Sequence, residues 1–273
     1  MSKPKRKKSP RNIVQKPKAK VLVYDIETAP LLSYTWGIWE QNVPLNMIQS
    51  DWYILSWSAK WLGDPDSKIM YMDQRNAKDI EDDSKLLEGI WKLLDQADVV
   101  ITQNGKSFDE KKLNARFILN GMGPPSSYEH IDTKRIASRK FAFTSNKLEY
   151  LTEKLCTKKK MKHKKFPGFE LWKECLKGNK EAFKEMEAYN KMDVLSLEEL
   201  YNKLQPWAKE ADFQHITGEV QCACGSRHFH KKDKKATKSG LYQRYTCQSC
   251  GSTFRDKTNL REKGFSKKLL VKE

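Results

Sequence analysis

The run from Val21 to Glu27 is apolar until its end, where Asp25 and Glu27 stand two residues apart. An unbroken apolar run of that length predicts a strand covered on both faces. Residues 54–61 and 68–73 predict two more strands around the turn Gly63-Asp64-Pro65-Asp66. Ile80, Leu87, Ile90, Trp91 and Leu94 recur on one side of a helical wheel and predict an amphipathic helix over 77–96. Residues 98–103 predict a short buried strand ended by Asn104-Gly105, and 109–120 a helix stopped by two glycines and two prolines. Residues 130–135 predict an edge strand, and 146–155 and 180–204 two helices, the second long and well patterned. Residues 28–50 are irregular and rich in aromatics. The order β, β, β, α, β, α, β, α, α predicts an α/β fold with a mixed sheet and helices on its faces. There is no internal repeat.

Charge divides the chain further. The 273 residues carry a net charge of +17, of which residues 1–20 hold +9 and residues 221–273 hold +10, leaving −2 for the middle. Two basic ends around a balanced centre point to contact with nucleic acid or another anionic surface, or to solubilising tails. Residues 1–20 lack periodicity and are expected to be a disordered basic tail; Pro4-Lys5-Arg6-Lys7-Lys8 also fits a nuclear import signal. No apolar stretch approaches the ~20 residues needed to span a bilayer, and no membrane partner is expected. The N-terminus has no apolar signal region, which points to an intracellular protein. The expected location is cytoplasmic, the host cytoplasm if the source is a virus.

Chemistry-bearing residues cluster at three places. Period-two alternation puts Asp25 and Glu27 on one face of a strand end, where two carboxylates repel unless a cation lies between them. Asp109 stands where a helix should start, after Asn104-Gly105-Lys106-Ser107-Phe108; as an isolated residue it reads first as a helix cap. Tyr189 and Asp193 are four apart on the last long helix and share a face.

Together these motifs (Asp-x-Glu, then Asn-Gly-x-x-Phe-Asp, then Tyr-x-x-x-Asp) resemble the DEDD exonucleases of the RNase H-like fold, in their tyrosine branch. Residues 21–207 look like predicted exonucleases, many of them phage-encoded or bacterial, related to family-B polymerase proofreading domains. The resemblance implies an RNase H-like mixed five-stranded sheet flanked by helices over 21–210. It implies that Asp25, Glu27, Asp109 and Asp193 hold two Mg²⁺ or Mn²⁺ ions and that Tyr189 orients the attacking water. The implied activity is 3′–5′ hydrolysis to 5′-mononucleotides. Phe108 is expected in the core under that site. Asn104 could touch the terminal nucleotide or shape the turn, and the turn is favoured. Trp36 and Trp39 could stack on bases or cover the sheet edge. The run 158–165, with Lys158, Lys159 and Lys160, could line the path of the strand or be a solvated loop.

Four of the six cysteines fall within 222–250: Cys222-Ala-Cys224-Gly and, after 22 residues, Cys247-Gln-Ser-Cys250-Gly. Paired thiolates on two knuckles suit one tetrahedral, structural Zn²⁺. The first pair is one residue short of the usual spacing, so His228 or His230 could stand in. Residues 219–258, which include Arg244 on the strand leading into the second knuckle, resemble the zinc ribbon of transposases and other DNA-binding proteins. Residues 211–218 read as a linker and 259–273 as a second basic tail. A ribbon with so few apolar residues is not expected to fold without metal. The expected partner is nucleic acid, with DNA favoured, and a proofreading or recombination role would need a partner chain because no polymerase motif is present. The competing readings are a ribonuclease or structure-specific nuclease of the same fold, and a non-catalytic zinc-ribbon protein that binds or recruits DNA.

Overall fold

The structure, a computed structural model, describes residues 18–238, 240–262 and 264. The run 1–17, with its import-like motif, and most of the tail after 259 lie outside the described residues. In chain order the elements are β1 (Val21–Thr28), β2 (Leu32–Ser33), β3 (Ile48–Ser50), β4 (Ile54–Trp61), β5 (Met70–Asp73), α1 (Ser84–Gln96), β6 (Val99–Thr102), α2 (Asp109–Leu119), β7 (Glu129–Asp132), α3 (Thr133–Lys140), α4 (Leu148–Leu155), α5 (Glu170–Leu176), α6 (Lys180–Leu204), α7 (Gln214–Thr217), β8 (Phe229–Thr237), β9 (Gly240–Cys247) and β10 (Thr253–Arg255).

Five strands form one mixed sheet in the order β5-β4-β1-β6-β7. β1 is central: it runs antiparallel to β4 and parallel to β6, and β6 runs parallel to β7. The alternation of β1 sends its side chains to two cores. Leu22, Tyr24 and Ile26 pack with Leu86, Leu87, Ile90 and Leu94 of α1 and Leu113 and Phe117 of α2. Val21 and Val23 pack on the other face with Val194, Leu197, Leu200 and Leu204 of α6. Asp25 and Glu27 continue that second row, so the strand's alternation aims both acids at α6. Their antiparallel partners are the small residues Ser58 and Ser56.

Several boundaries differ from the sequence reading for identifiable reasons. β7 stops at Asp132 because its carboxylate accepts the N–H groups of Lys134 (3.0 Å) and Arg135 (3.4 Å) and starts α3; residues 133–135 are helix, not strand. α1 begins at Ser84 rather than 77. Asp83 turns back to accept from the Ile54 N–H (2.9 Å) and to pair with Arg116 (2.7 Å), which holds the preceding chain against β4. The segment 28–50 contributes the small β2–β3 hairpin, and α5 was not foreseen. Residues 211–217 are not an open connection, since Ala211 and Phe213 are buried against the α6-side core. The smaller sheet, β10-β9-β8, follows them.

A buried ion pair fastens β4 to α6. Lys60, on the same face as the acids, has a side chain 1% exposed and bonds Glu198 of α6 at 2.6 Å. Its ammonium also donates to the Asp64 carbonyl (2.5 Å), and Glu198 accepts the Gly63 N–H (3.0 Å). Removing one partner strands a buried charge. The Glu198→Ala variant is expected to lose about 3–5 kcal/mol in urea unfolding, and Lys60→Met in the same chain to recover most of it. A loss under ~1 kcal/mol would show that the pair does not hold the helix.

Candidate functional site

α6 is held along its 25 residues by a face of buried residues repeating at helical spacing, from Ala182 and Phe183 through Tyr201 and Leu204. Asn179 caps its start by accepting the Glu181 N–H (3.0 Å), and Pro206 follows its end. Where α6 crosses the C-terminal end of β1, the buried face turns polar: Tyr189, Asn190 and Asp193 replace the aliphatic residues. One carboxylate oxygen from each of Asp25, Glu27 and Asp193 lies within 4.8 Å of the others. Asp193 is buried and the other two are half-buried.

Asp109 approaches from the loop after β6. The Asn104-Gly105 turn makes this possible: Asn104 is left-handed (φ 68°), and a Cβ on Gly105 would lie 2.2 Å from the Thr102 hydroxyl. The Asp109 carboxylate accepts the Ile26 N–H at 3.3 Å, and Asp109 is the first helical residue rather than the cap. Its charge is the strongest electrostatic influence on Asp25 after burial, though its oxygens stand outside the close group of three. Asn190 is a site residue that the motif pattern did not single out. Its amide donates to Asp25 (2.7 Å), and the Ser56 hydroxyl reaches its carbonyl oxygen at 3.4 Å. Adjacency to Tyr189 was the available signal.

The group is electrostatically unbalanced. Burial and mutual repulsion raise Asp25 well above the usual carboxylate range. Burial, followed by the charge of Asp193, raises Glu27 to about 8 against the pull of Lys160 and a hydrogen bond from Trp172 of α5. Burial lifts Asp109 to about 7, opposed by backbone N–H groups. Burial also raises Asp193, against the ammonium of Lys160 at 2.5 Å. The other Asp193 oxygen, Oδ1, is buried and accepts nothing. Four carboxylates with one lysine and an orphaned oxygen form a donor set of hard, negatively charged atoms, which fits Mg²⁺ or Mn²⁺.

Lys160 therefore stands inside the acid group, and its ammonium also sits 4.4 Å from the centre of the Tyr189 ring. His163 and Trp172 pack on Tyr189 with ring centres 4.4 Å and 6.1 Å away. Burial and the Asp193 charge raise the Tyr189 hydroxyl above the ordinary phenol range. The other expected nucleic-acid contacts are elsewhere. Lys158 pairs with Asp66, Lys159 with Glu153 and Arg244 with Asp233. Trp36 and Trp39 are 91% and 82% exposed and so do not cover a sheet edge. Asn104 shapes the turn, accepting from Lys134 at 3.2 Å. Phe108 is 40% exposed and is not core, because the turn lifts it clear of the sheet.

The four cysteines of the C-terminal unit come together, with sulfur atoms all within 4.8 Å of one another and no histidine among them. The short first knuckle folds like the second. Cys222 N–H donates to Ser226 and Cys247 N–H to Ser252, both at 2.9 Å, and Gly225 and Gly251 turn back with φ of 88° and 79°. Burial opposes ionisation of Cys250, but hydrogen bonds from Ser252 and neighbouring thiols pull it down to about 6. Four thiols gathered this closely form a soft donor set that fits Zn²⁺. Cys156 and Cys175 are buried in the core. β8 forms one edge of this unit and exposes Lys231, Lys232, Lys234 and Lys235.

A family model described as the RNase_H superfamily matches residues 62–205, a span that starts after β1 and includes Asp109, Tyr189 and Asp193. No curated protein matches the chain. Among solved structures, a family B DNA polymerase from the hyperthermophilic archaeon Pyrobaculum calidifontis matches with a TM-score of 0.47 and 14% identity. The match covers 70% of this chain and 26% of the polymerase, so the chain spans about a quarter of that protein's length. Among the described residues no helix is long and apolar enough to cross a membrane.

The raised Glu27 has a consequence for stability. An acid whose pKa climbs from 4.5 to about 8 on folding binds extra protons in the folded state, so its contribution erodes stability as pH rises through that window. In buffer free of Mg²⁺ and Mn²⁺, Glu27→Gln is expected to match wild type near about pH 4. Above about pH 8 it should exceed wild type by on the order of a few kcal/mol. A gap in urea unfolding that does not change with pH would contradict the burial of this charge.

Proposed function

The chain belongs to the RNase H superfamily, and we propose that it is a metal-dependent 3′–5′ exonuclease that cleaves nucleic acid, DNA favoured, to 5′-mononucleotides using two Mg²⁺ or Mn²⁺ ions. Membership of the superfamily supports a nuclease, and so a nucleic-acid substrate. The observation that carries the finer reading is the convergence of Asp25, Glu27 and Asp193 beside Tyr189, with Asp109 adjacent. These four acids would hold the ions, which supply activation of a water and neutralisation of charge at the scissile phosphate.

The remaining work falls to the chain's own side chains. Tyr189 keeps its proton at neutral pH, since its pKa is raised, so it donates a hydrogen bond that orients the water and does not act as a base. His163 and Trp172 fix the plane of its ring. Lys160 brings a positive charge to the place where the phosphate would lie. Asn190 fixes the rotamer of Asp25 through its amide. The attacking water and the scissile phosphate would then meet prearranged groups, which is where positioning gains rate.

The cysteine unit reads as a zinc ribbon that holds nucleic acid. Residues 221–273 carry +10, and the exposed lysines of β8 form its cationic edge. Such lysines also guard an edge strand from aggregation. As phosphate contacts they would make binding fall as salt rises.

The test is a gel assay on 5′-labelled single-stranded DNA and RNA with and without Mn²⁺. A metal-dependent ladder shortening from the 3′ end of DNA is expected. Asp25→Ala should abolish it, and Tyr189→Phe should slow it by about 10²-fold with little change in binding. Shortening of RNA alone would assign a ribonuclease. Tight binding with no turnover on either strand would sink the enzymatic reading.

A further inference from the structure

We infer that His130 of β7 is a positioning residue for the metal site: with Thr102 and Glu110 it closes a hydrogen-bonded ring around the turn that delivers Asp109. The inference rests on the reading of Asp109 as a metal ligand. The Gly105 N–H donates to the Thr102 hydroxyl oxygen at 3.2 Å. That hydroxyl lies 2.7 Å from His130 Nε2, and His130 Nδ1 lies 2.9 Å from the Glu110 carboxylate. The Glu110 N–H returns to the Gly105 carbonyl at 2.9 Å. Residues 106–109 are thus enclosed between two anchored ends, and Asp109 is the last of them.

The protons run one way round this ring. An ionised carboxylate only accepts, so Nδ1 carries the hydrogen and donates it to Glu110. Nε2 of the neutral imidazole is then an acceptor and takes the hydroxyl hydrogen of Thr102. The Thr102 oxygen is left to accept from Gly105. The His130 side chain is 5% exposed, and Tyr128 packs edge-on against it with ring centres 6.4 Å apart. Burial lowers the pKa of His130 against the pull of Glu110, which favours the neutral ring. Two residues further along β7, Asp132 accepts the Asn104 N–H at 2.9 Å, so one strand ties down both residues of the turn. The turn needs such ties. Asn104 is left-handed (φ 68°), and the bond from the Ile26 N–H to the Asp109 carboxylate is long, at 3.3 Å. A ligand held that loosely from β1 takes its position from the segment that carries it. Partners outside the ligand shell that fix a ligand in this way tune how tightly metal binds.

The test uses the full chain and Mn²⁺ alone, with free Mn²⁺ followed by electron paramagnetic resonance. The wild type and Asp109→Ala come first: no binding by the wild type, or no effect of Asp109→Ala, would remove the metal reading of Asp109 and the inference with it. With Asp109 established as a ligand, His130→Phe and Glu110→Ala should each weaken Mn²⁺ binding by about 10-fold, and the double variant should be little weaker than either. Glu110→Gln, which keeps an acceptor for the Nδ1 hydrogen, should retain most of the affinity. Excess Mn²⁺ should restore turnover to His130→Phe, which a loss of folded protein would not allow. Unchanged affinity in His130→Phe and Glu110→Ala would overturn the inference. So would an equal loss in Glu110→Gln and Glu110→Ala, which would assign the effect to charge. If the variants fail to fold, nitrogen chemical shifts of wild-type protein labelled with ¹⁵N-histidine decide. A neutral His130 protonated at Nδ1 supports the ring, and the hydrogen on Nε2 overturns it.

Discussion

The alternation of β1 against α6 is the constraint on which the rest depends. One strand is covered on both sides, so every second residue must face the same long helix. Four of these, Val21, Val23, Asp25 and Glu27, meet α6 in order, two in an aliphatic core and two in an acid site. The core and the site are therefore one interface whose chemistry changes along its length. A one-residue slip of β1 would exchange the acids for Tyr24 and Ile26 and destroy both at once. The ion pair of Lys60 with Glu198 pins the same interface from β4, at the aliphatic end.

This arrangement carries a cost that the molecule does not hide. Asp25, Glu27, Asp109 and Asp193 are desolvated together, and burial disfavours the charge of each. Lys160 offsets part of this, supported by contact with the Tyr189 ring. It reaches only one of the two Asp193 oxygens, and the other is left without a donor. Buried acids so poorly satisfied by protein groups form a donor set that suits hard cations. The cysteine unit is the soft-ligand counterpart, four sulfurs gathered by two tight turns with little apolar core of their own.

The two centres are not independent bodies strung on a chain. Ala211 and Phe213 are buried in the α6-side core, and Ala223 packs against it. The hairpin and exposed aromatics of 31–45 project from the chain just after the acids, and the lysines of β8 face solvent on the ribbon.

Local pattern alone was enough for the order of the five main-sheet strands and of α1, α2, α4 and α6, for the central place of β1, the three acidic motifs and the grouping of the cysteines, but not for α3, α5 or the β2–β3 hairpin. Those properties are set by short periods and near-neighbour spacing, which are written locally. It also fixed that Asp25 and Glu27 share a face, because the strand period is two. Only the tertiary structure decided the rest. Lys160 looked like one lysine in a run of eight residues until the fold set it 2.5 Å from Asp193. Asn190 and Trp172 become site residues through distant neighbours, Asp25 and Glu27, on another element. Asp132 ended its strand because its carboxylate found backbone donors, and Phe108 left the core because the Asn104 turn rotated it outward. The short first knuckle closes like the second because its backbone makes the same pair of hydrogen bonds with one residue fewer. In each case the deciding partner is remote in sequence or set by backbone geometry, and local pattern carries no record of either.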